Sequence, residues 1–208
     1  MTNDILRQFD LHFPGNWIDD ADREWAFSTL RVLKIIESLF IEAVAAYSRF
    51  IPVTSENYQT YIEGYQSPYE RCLNGIYAKT FVFALDSIEK LLSSLCEHLS
   101  PPGPIRKFCQ NYKNQFRHLK HIRDSAIHIE DRGRGKTRRQ KDVNTNVLIL
   151  GSFIERRFFF TGDDGKKNEV EISDATLFKA KNIIQEIINA YPWIPHISGI
   201  DEENSGIK

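Results

Sequence analysis

The sequence predicts an all-α fold, an up-and-down helical bundle with a small β-hairpin inserted before the last helix. Four long segments repeat apolar residues with the period of an amphipathic helix. A short proline- and glycine-rich connection, residues 100–104, separates the second segment from the third, which favours antiparallel neighbours. Between about 147 and 172 the pattern changes to short runs of Val, Ile and Phe that are typical of strands.

The first two helices are predicted over about 21–50 and about 67–99. In the first helix, apolar residues such as Ile35 and Ile41 extend onto a second face, so we expect the bundle or a second subunit to cover it. The second helix opens with Ser67 and Pro68, residue types that favour the cap and the first turn.

The third and last helices are predicted over about 105–130 and about 174–191, with Ser173 capping the last one. Between them, residues 132–146 are basic and polar and are expected to form a mobile loop. The β insert over about 147–172 contains three short strands, predicted over 147–151, 155–161 and 168–172, and residues 162–165 form the hairpin turn between the second and the third. Strand alternation predicts that part of the run Phe158–Phe160 faces outward, although packing onto the bundle is favoured.

Composition indicates one globular helical domain over 1–208. Hydrophobic residues make up 41% of the chain and charged residues 26%, as in ordinary soluble proteins. The start of the chain does not resemble a signal peptide and no apolar run is long enough to span a membrane, so we expect a cytoplasmic protein without a membrane partner. The three cysteines are widely spaced, which argues against a disulfide framework and against a thiolate zinc site.

The charge is unevenly distributed. The net charge is −1, yet residues 103–141 hold twelve Lys or Arg against three Asp or Glu. This asymmetry favours a polyanionic partner near that segment, and a solvated basic face is the alternative interpretation.

Arg123 occupies an anomalous position in the third helix. It follows Leu119 by one turn, so it falls within the apolar stripe. A guanidinium is almost never buried without a partner, which predicts an anionic partner, a subunit interface or an active-site cleft around it. Five residues later comes His128, the residue type that changes charge near neutral pH.

Arg123, Asp124 and His128 share one arc of the helix, at the border of its apolar and polar faces. An imidazole beside a fixed positive charge suits cleavage of a phosphodiester by its own neighbouring hydroxyl, and that reaction needs neither a metal nor a cofactor. Asp124 is placed to steer the imidazole or to anchor the guanidinium. The alternative is structural, with Arg123 and His128 capping carboxylates or carbonyls of neighbouring helices. Because a single helix rarely supplies a full ligand shell, we predict no metal site.

The segment from Arg123 to His128 resembles the Arg-x4–6-His motif of the HEPN superfamily, with Asp124 in the usual polar position. The order of elements over residues 21–191 is also similar. The resemblance implies a metal-independent endoribonuclease whose site forms where two protomers meet, in toxin–antitoxin or phage-defence biology. It implies that Arg123 and His128 are catalytic, that Asp124 orients them, and that the partners are a second copy, RNA, and an antitoxin or another protein.

A basic segment follows His128 directly and is expected to follow an RNA backbone. A solvated loop is the alternative for this segment. For the whole chain, the alternative is a non-catalytic HEPN-like bundle that binds a partner protein or a nucleotide. The predicted RNA-binding residues are Arg132, Arg134, Lys136, Arg138, Arg139 and Lys141.

Overall fold

A computed structural model of the chain describes residues 7–52, 68–99, 101, 103–136, 142, 148–162 and 164–195. The described part is mostly helical and carries two small antiparallel sheets. The helices are α1 (Arg23–Arg49), α2 (Pro68–His98), α3 (Gly103–Phe116), α4 (Leu119–Ile127), α5 (Ile129–Gly133) and α6 (Asp174–Asn189). The strands are β1 (Gly15–Ile18), β2 (Leu150–Ile154), β3 (Arg157–Thr161), β4 (Lys167–Glu171) and β5 (Trp193–Pro195).

Side-chain caps define the beginnings of two helices. Asp22 accepts a hydrogen bond from the backbone N–H of Trp25 at 3.0 Å and starts α1. Ser173 accepts one from the N–H of Thr176 at 3.3 Å, which confirms the predicted cap of the last helix. The predicted bounds of α1, α2 and α6 agree with the structure to within about two residues at each end. Ser67, the predicted cap of α2, lies outside the described residues.

The single third helix predicted over about 105–130 is wrong, because the chain turns at Arg117 and His118 and again at His128. The cause is a change of packing partner along the segment. α3 packs against α2 and α6, whereas α4 packs against α2 and the β insert. The buried stripe that ends at Phe116 therefore resumes at Leu119 in a separate helix.

The β insert is a three-stranded antiparallel sheet in the order β2–β3–β4. The predicted hairpin between its second and third strands is confirmed, whereas the first strand lies at Leu150–Ile154, later than the predicted 147–151. A β-bulge at Gly151 accompanies this shift, since the register changes between Leu150 and Ser152. Gly151 has φ +95°, and a Cβ there would lie 3.1 Å from the Phe160 ring, so both the conformation and the space favour glycine.

The run of three phenylalanines in β3 is buried throughout. Phe158 and Phe160 pack into the main hydrophobic core, as the favoured interpretation expects. Phe159 points to the other face of the sheet and is also buried, with the Nζ of Lys167 3.9 Å from its ring centroid. The prediction that part of this run faces outward is therefore wrong.

A second sheet joins β1 to β5 near the two ends of the described chain. The sequence pattern predicts neither strand. Gly15 allows this close approach, because a Cβ at that position would overlap the carbonyl of Ile194.

The core centres on α2, which packs against α1, α3 and α4. The insert reaches the core through α4, where the buried Ser125 hydroxyl donates a 2.9 Å hydrogen bond to the carbonyl of Thr161 in β3. On α1 the predicted second apolar face is not covered within the described chain, since Ile35 and Ile41 are exposed. The largest fully buried side chains are those of Tyr112, Phe40, Phe81, Phe158, Phe160, Ile18, Leu33, Ile36, Leu85, Ile88 and Leu92.

Of the described helices, none combines the length and the apolar character that crossing a membrane requires.

The hydrogen bond between α4 and β3 gives a first testable prediction. We expect Ser125→Ala to lower the free energy of unfolding by about 1–2 kcal/mol, because the substitution removes a buried hydrogen bond that joins α4 to β3. Urea denaturation measures the change. Ser152→Ala, at an exposed position of β2, serves as the control and should change stability by no more than about 0.5 kcal/mol. Equal effects of the two substitutions would contradict the assigned role of Ser125.

Candidate functional site

Arg123 is held between two carboxylates. Its Nε lies 3.2 Å from Oδ2 of Asp86 on α2, and its Nη2 lies 3.0 Å from Oδ1 of the neighbouring Asp124. The side chains of Arg123 and Asp124 keep 19% and 21% of their surface exposed, whereas that of Asp86 keeps only 4%. The anionic partner that the sequence required for Arg123 therefore lies in the same chain, on the preceding long helix.

Asp86 also pairs with a second cation. The Nζ of Lys90, one helical turn along α2, lies 2.8 Å from the same Oδ2. A buried carboxylate needs such partners, since removing its charge from water without compensation is costly. Oδ2 of Asp86 and Nε of Arg123 approach within ion-pair distance without the alignment of a hydrogen bond, so their attraction is mainly Coulombic.

Asp86 was not predicted as a site residue, although the sequence carries a signal for it. Its neighbours Leu85 and Ile88 are fully buried, so an acidic residue stands inside the apolar face of α2. This is the same anomaly that identified Arg123 on α4. Because Asp86 and Arg123 carry opposite charges and each lies on an otherwise apolar helix face, a direct ion pair between them is favoured.

Of the two roles considered for Asp124, the structure places it at the guanidinium. His128 is the C-cap of α4, and its backbone N–H donates to the carbonyl of Asp124 at 3.1 Å. The His128 side chain is half-buried and makes no hydrogen bond or ion pair with the residues that the structure describes. Arg123 and Asp124 are thus in contact, while the imidazole has no orienting group in this part of the chain.

Exposed apolar side chains flank His128. Ile127 and Ile129, its two neighbours in the sequence, are 47% and 38% exposed. Ile154, at the end of β2, is 59% exposed, and β2 contacts both α4 and α5. The end of the helix that carries the motif therefore presents isoleucines to the outside of the chain.

The predicted RNA-binding residues are described only in part. Arg134 is exposed, with its Nη2 3.4 Å from Oδ1 of Asp131. The Nζ of Lys136 lies 2.6 Å from Oδ1 of Asp142, and this ion pair lowers the pKa of the Asp142 carboxyl below its usual range. Both cations thus have a local carboxylate. Arg132 lies in α5 without a described side chain, and Arg138, Arg139 and Lys141 lie outside the described residues, as does most of the loop predicted over 132–146.

A groove of about 330 Å³ runs between α2 and the α3–α4 segment, with Asp86 in its lining. Acidic side chains on the α2 side face basic side chains on the other side. The basic side of this groove belongs to the longer basic segment, residues 103–141, that the charge distribution of the sequence indicates. The charged lining residues are Asp86, Glu89, Lys90, Glu97, Lys113, Arg117 and Lys120.

His118 lies in a second cleft, of about 230 Å³, between the turn that follows α3, the insert and the start of α6. Burial lowers the pKa of His118 below 6.5, and the charges of His121 and Arg117 lower it further. Thr176 and Lys179 of α6 line the same cleft. His118 is therefore biased toward its neutral form.

The same region lacks the ligand set of a metal centre among its described residues. Within the described ranges, no three His, Cys, Asp or Glu side chains converge as metal ligands do. His121 and Asp124 lie on α4 and His128 caps it, but Asp124 is engaged by Arg123.

Comparisons of the chain with protein-family models, curated proteins and solved structures give no match. The resemblance to the HEPN superfamily accordingly stands on the motif from Arg123 to His128 and on the order of the elements.

The ion pair between α2 and α4 gives a second testable prediction. A double-mutant cycle of Asp86→Ala and Arg123→Met should give a coupling energy of about 1–3 kcal/mol, because each single variant removes one of the two opposite charges that pair with the remaining, poorly solvated residue. Equilibrium unfolding in urea measures the three variants. The exposed pair of Lys34 and Glu37, 3.1 Å apart, provides a matched cycle with an expected coupling of about 0.5 kcal/mol or less. Equal couplings in the two cycles would refute a stabilising role for the buried pair.

His118 gives a third prediction, on the pH dependence of stability. Because its pKa is lower in the folded state than the ordinary 6.5, the unfolded chain binds this proton more readily. The stabilisation is complete above the ordinary value and is lost as the pH falls through the lower, folded value. We expect His118→Gln to weaken the loss of stability between about pH 7.5 and pH 5, measured as unfolding midpoints. Gln115→Ala, in the same cleft, removes no titrating group and should retain the wild-type dependence. An unchanged dependence in His118→Gln would show that another group causes it.

Proposed function

We propose that the protein is a metal-independent endoribonuclease of the HEPN type that acts as a homodimer, with Arg123 and His128 as its catalytic residues. One observation carries the proposal. Arg123 is held by Asp86 and Asp124 yet stays partly exposed, and five residues later the imidazole of His128 has no partner in the described chain.

The chemistry follows from these two groups. The imidazole of His128 exchanges a proton with the ribose 2′-hydroxyl or with the departing 5′-oxygen, and the 2′-oxygen attacks the adjacent phosphorus. The guanidinium of Arg123 stabilises the charge on the non-bridging oxygens as the P–O5′ bond breaks. The products are a 2′,3′-cyclic phosphate and a free 5′-hydroxyl, and the reaction uses no metal or cofactor.

Asp86 acts in this scheme as a positioning residue. A flexible arginine loses conformational freedom when it engages a phosphate, and a guanidinium already held by two carboxylates has lost part of that freedom beforehand. The ion pair with Asp124 also restricts the conformational freedom of the Arg123 guanidinium. Both carboxylates also reduce the net positive charge at the site, so the phosphate must compete with them for Arg123.

A second copy of the chain is the proposed way to complete the site. One imidazole cannot act as base and acid in the same step, whereas a two-fold axis at the end of α4 brings a second His128 to the same cleft. The exposed side chains of Ile127, Ile129 and Ile154 support an interface at this end, because apolar groups around a functional motif favour burial by a partner.

The wider setting is part of the proposal. A HEPN-type ribonuclease of this kind acts in the cytoplasm in toxin–antitoxin or phage-defence biology, and an antitoxin or another protein restrains it. The basic segment from Arg132 to Lys141 is the proposed RNA contact, with Arg134 and Lys136 exchanging their carboxylate partners for phosphates.

A second candidate function is a non-catalytic HEPN-like bundle that binds a partner protein or a nucleotide. The observation that favours it is the ion pair with Asp86, which accounts for a charged residue on the apolar face of α4 within one chain. In this alternative Arg123 stabilises the packing of α4 against α2 and His128 is a surface residue.

The test, and a fourth prediction, is RNA cleavage in excess chelator by the wild type, Arg123→Ala and His128→Ala. We expect wild-type cleavage to leave cyclic phosphate ends. Each substitution should lower the cleavage rate by about 10²–10⁴-fold, since each removes a group that acts in the transition state.

Matched controls separate catalysis from folding. His121→Ala, on the exposed side of α4, and Arg31→Ala, exposed on α1, remove the same residue types elsewhere and should leave the rate unchanged. Circular dichroism and the sedimentation mass of every variant must match the wild type. Absence of wild-type cleavage, or full activity in both motif variants, would favour the second candidate function.

A further inference from the structure

Two of the three cysteines come together at the junction of α2 and α3. Cys96 lies in the last turns of α2 and is half-buried, and Cys109 lies in the middle of α3 with 7% of its surface exposed. Both line one cleft of about 230 Å³ that also holds Arg106 and Lys113. The third cysteine, Cys72, is exposed near the start of α2. The sequence spacing alone gave no reason to pair any of the three.

The side chains of Cys96 and Cys109 line the same cleft from two helices that pack against each other, so both thiols lie at one junction of α2 and α3. Burial raises the pKa of Cys109 far above its usual range, and interaction with the Cys96 thiol raises it further.

A buried phenol lies in the same hydrophobic core as the two cysteines. The hydroxyl of Tyr191 has no hydrogen-bond partner in the described part of the chain, and the residue keeps only 4% of its surface exposed. Burial raises the pKa of Tyr191, and the charges of Cys109 and Cys96 raise it further. An unpaired buried O–H is costly, and it is an available donor to any oxygen that oxidation adds to a sulfur.

We propose that Cys96 and Cys109 form an oxidisable dithiol, a modification site at which a peroxide closes an intramolecular disulfide between α2 and α3. The proposal is independent of the ribonuclease function and uses none of its residues.

The chemistry takes place in two steps. The more accessible Cys96 sulfur attacks a peroxide oxygen, the O–O bond breaks, and one water leaves as the sulfenic acid forms. The Cys109 sulfur then attacks the Cys96 sulfur, the S–O bond breaks, and the Cys109 proton leaves with the hydroxyl as a second water. One hydrogen peroxide is reduced to two waters while two thiols are oxidised to one disulfide.

The full-length protein permits a direct test, the fifth prediction, because trypsin places each cysteine in a separate peptide. Cys72 falls in residues 72–79, Cys96 in residues 91–106 and Cys109 in residues 108–113. After treatment with about one equivalent of hydrogen peroxide and digestion without reductant, we expect 91–106 linked to 108–113 as the dominant disulfide. The link should disappear on reduction.

Variants make the result decisive. With Cys72→Ser as the background, the peroxide-treated chain should lose both remaining thiols and gain no sulfonic acid. Adding Cys96→Ser should leave Cys109 free, since the accessible first thiol is gone. A stable sulfenic acid at Cys96 with no cross-link would overturn the proposal. Disulfides to Cys72 as abundant as the one between Cys96 and Cys109 would also overturn it, because random pairing is the behaviour of an unfolded chain. A sample oxidised in denaturant provides the random pattern for comparison.

Discussion

The ion pair between Asp86 and Arg123 is the constraint on which the arrangement of the site depends. Asp86 is buried in α2, the helix that contacts α1, α3 and α4, and its carboxylate has little access to water. Lys90 supplies one opposite charge from α2 itself and Arg123 supplies a second from α4, so positions of α4 that keep the guanidinium close to Asp86 are favoured. α4 in turn fixes the β insert through the hydrogen bond from Ser125 to Thr161. The bundle, the motif helix and the sheet are linked through these two contacts.

The same ion pair bears on both candidate functions. A guanidinium held by two carboxylates is pre-organised for a phosphate, since its orientation is already set when the substrate arrives. The carboxylates that orient it also compete for its charge, and in a purely structural protein the same cluster simply joins two helices. The two functions differ in features outside the ion pair: the His128 side chain has no partner among the residues that the structure describes, and exposed isoleucines lie beside it. A structural ion pair needs neither of these features, whereas a site completed by a second copy uses both.

Much of the helical framework could be predicted from the sequence, because apolar periodicity and capping residues are local. The bounds of α1, α2 and α6 and the hairpin between β3 and β4 follow from that information. The breaks between α3, α4 and α5 could not be predicted, because they arise where the chain changes the surface against which it packs. The pairing of β1 with β5 joins the two ends of the described chain, and a local pattern carries no information about such a partner.

For the site, the sequence alone indicates that Arg123 is out of place on an apolar face and that an anion, an interface or an active-site cleft must accompany it. This follows from helical periodicity and from the permanent charge of arginine, which are properties of the local chain. The identity of that anion is set by the packing of α4 against α2, which also leaves Asp124 at the guanidinium and the His128 side chain without a partner in the described ranges. The juxtaposition of Cys96 and Cys109 was decided in the same way, by the packing of α2 against α3. Periodicity gives the face on which a side chain lies, whereas its partner across the core depends on how the helices pack.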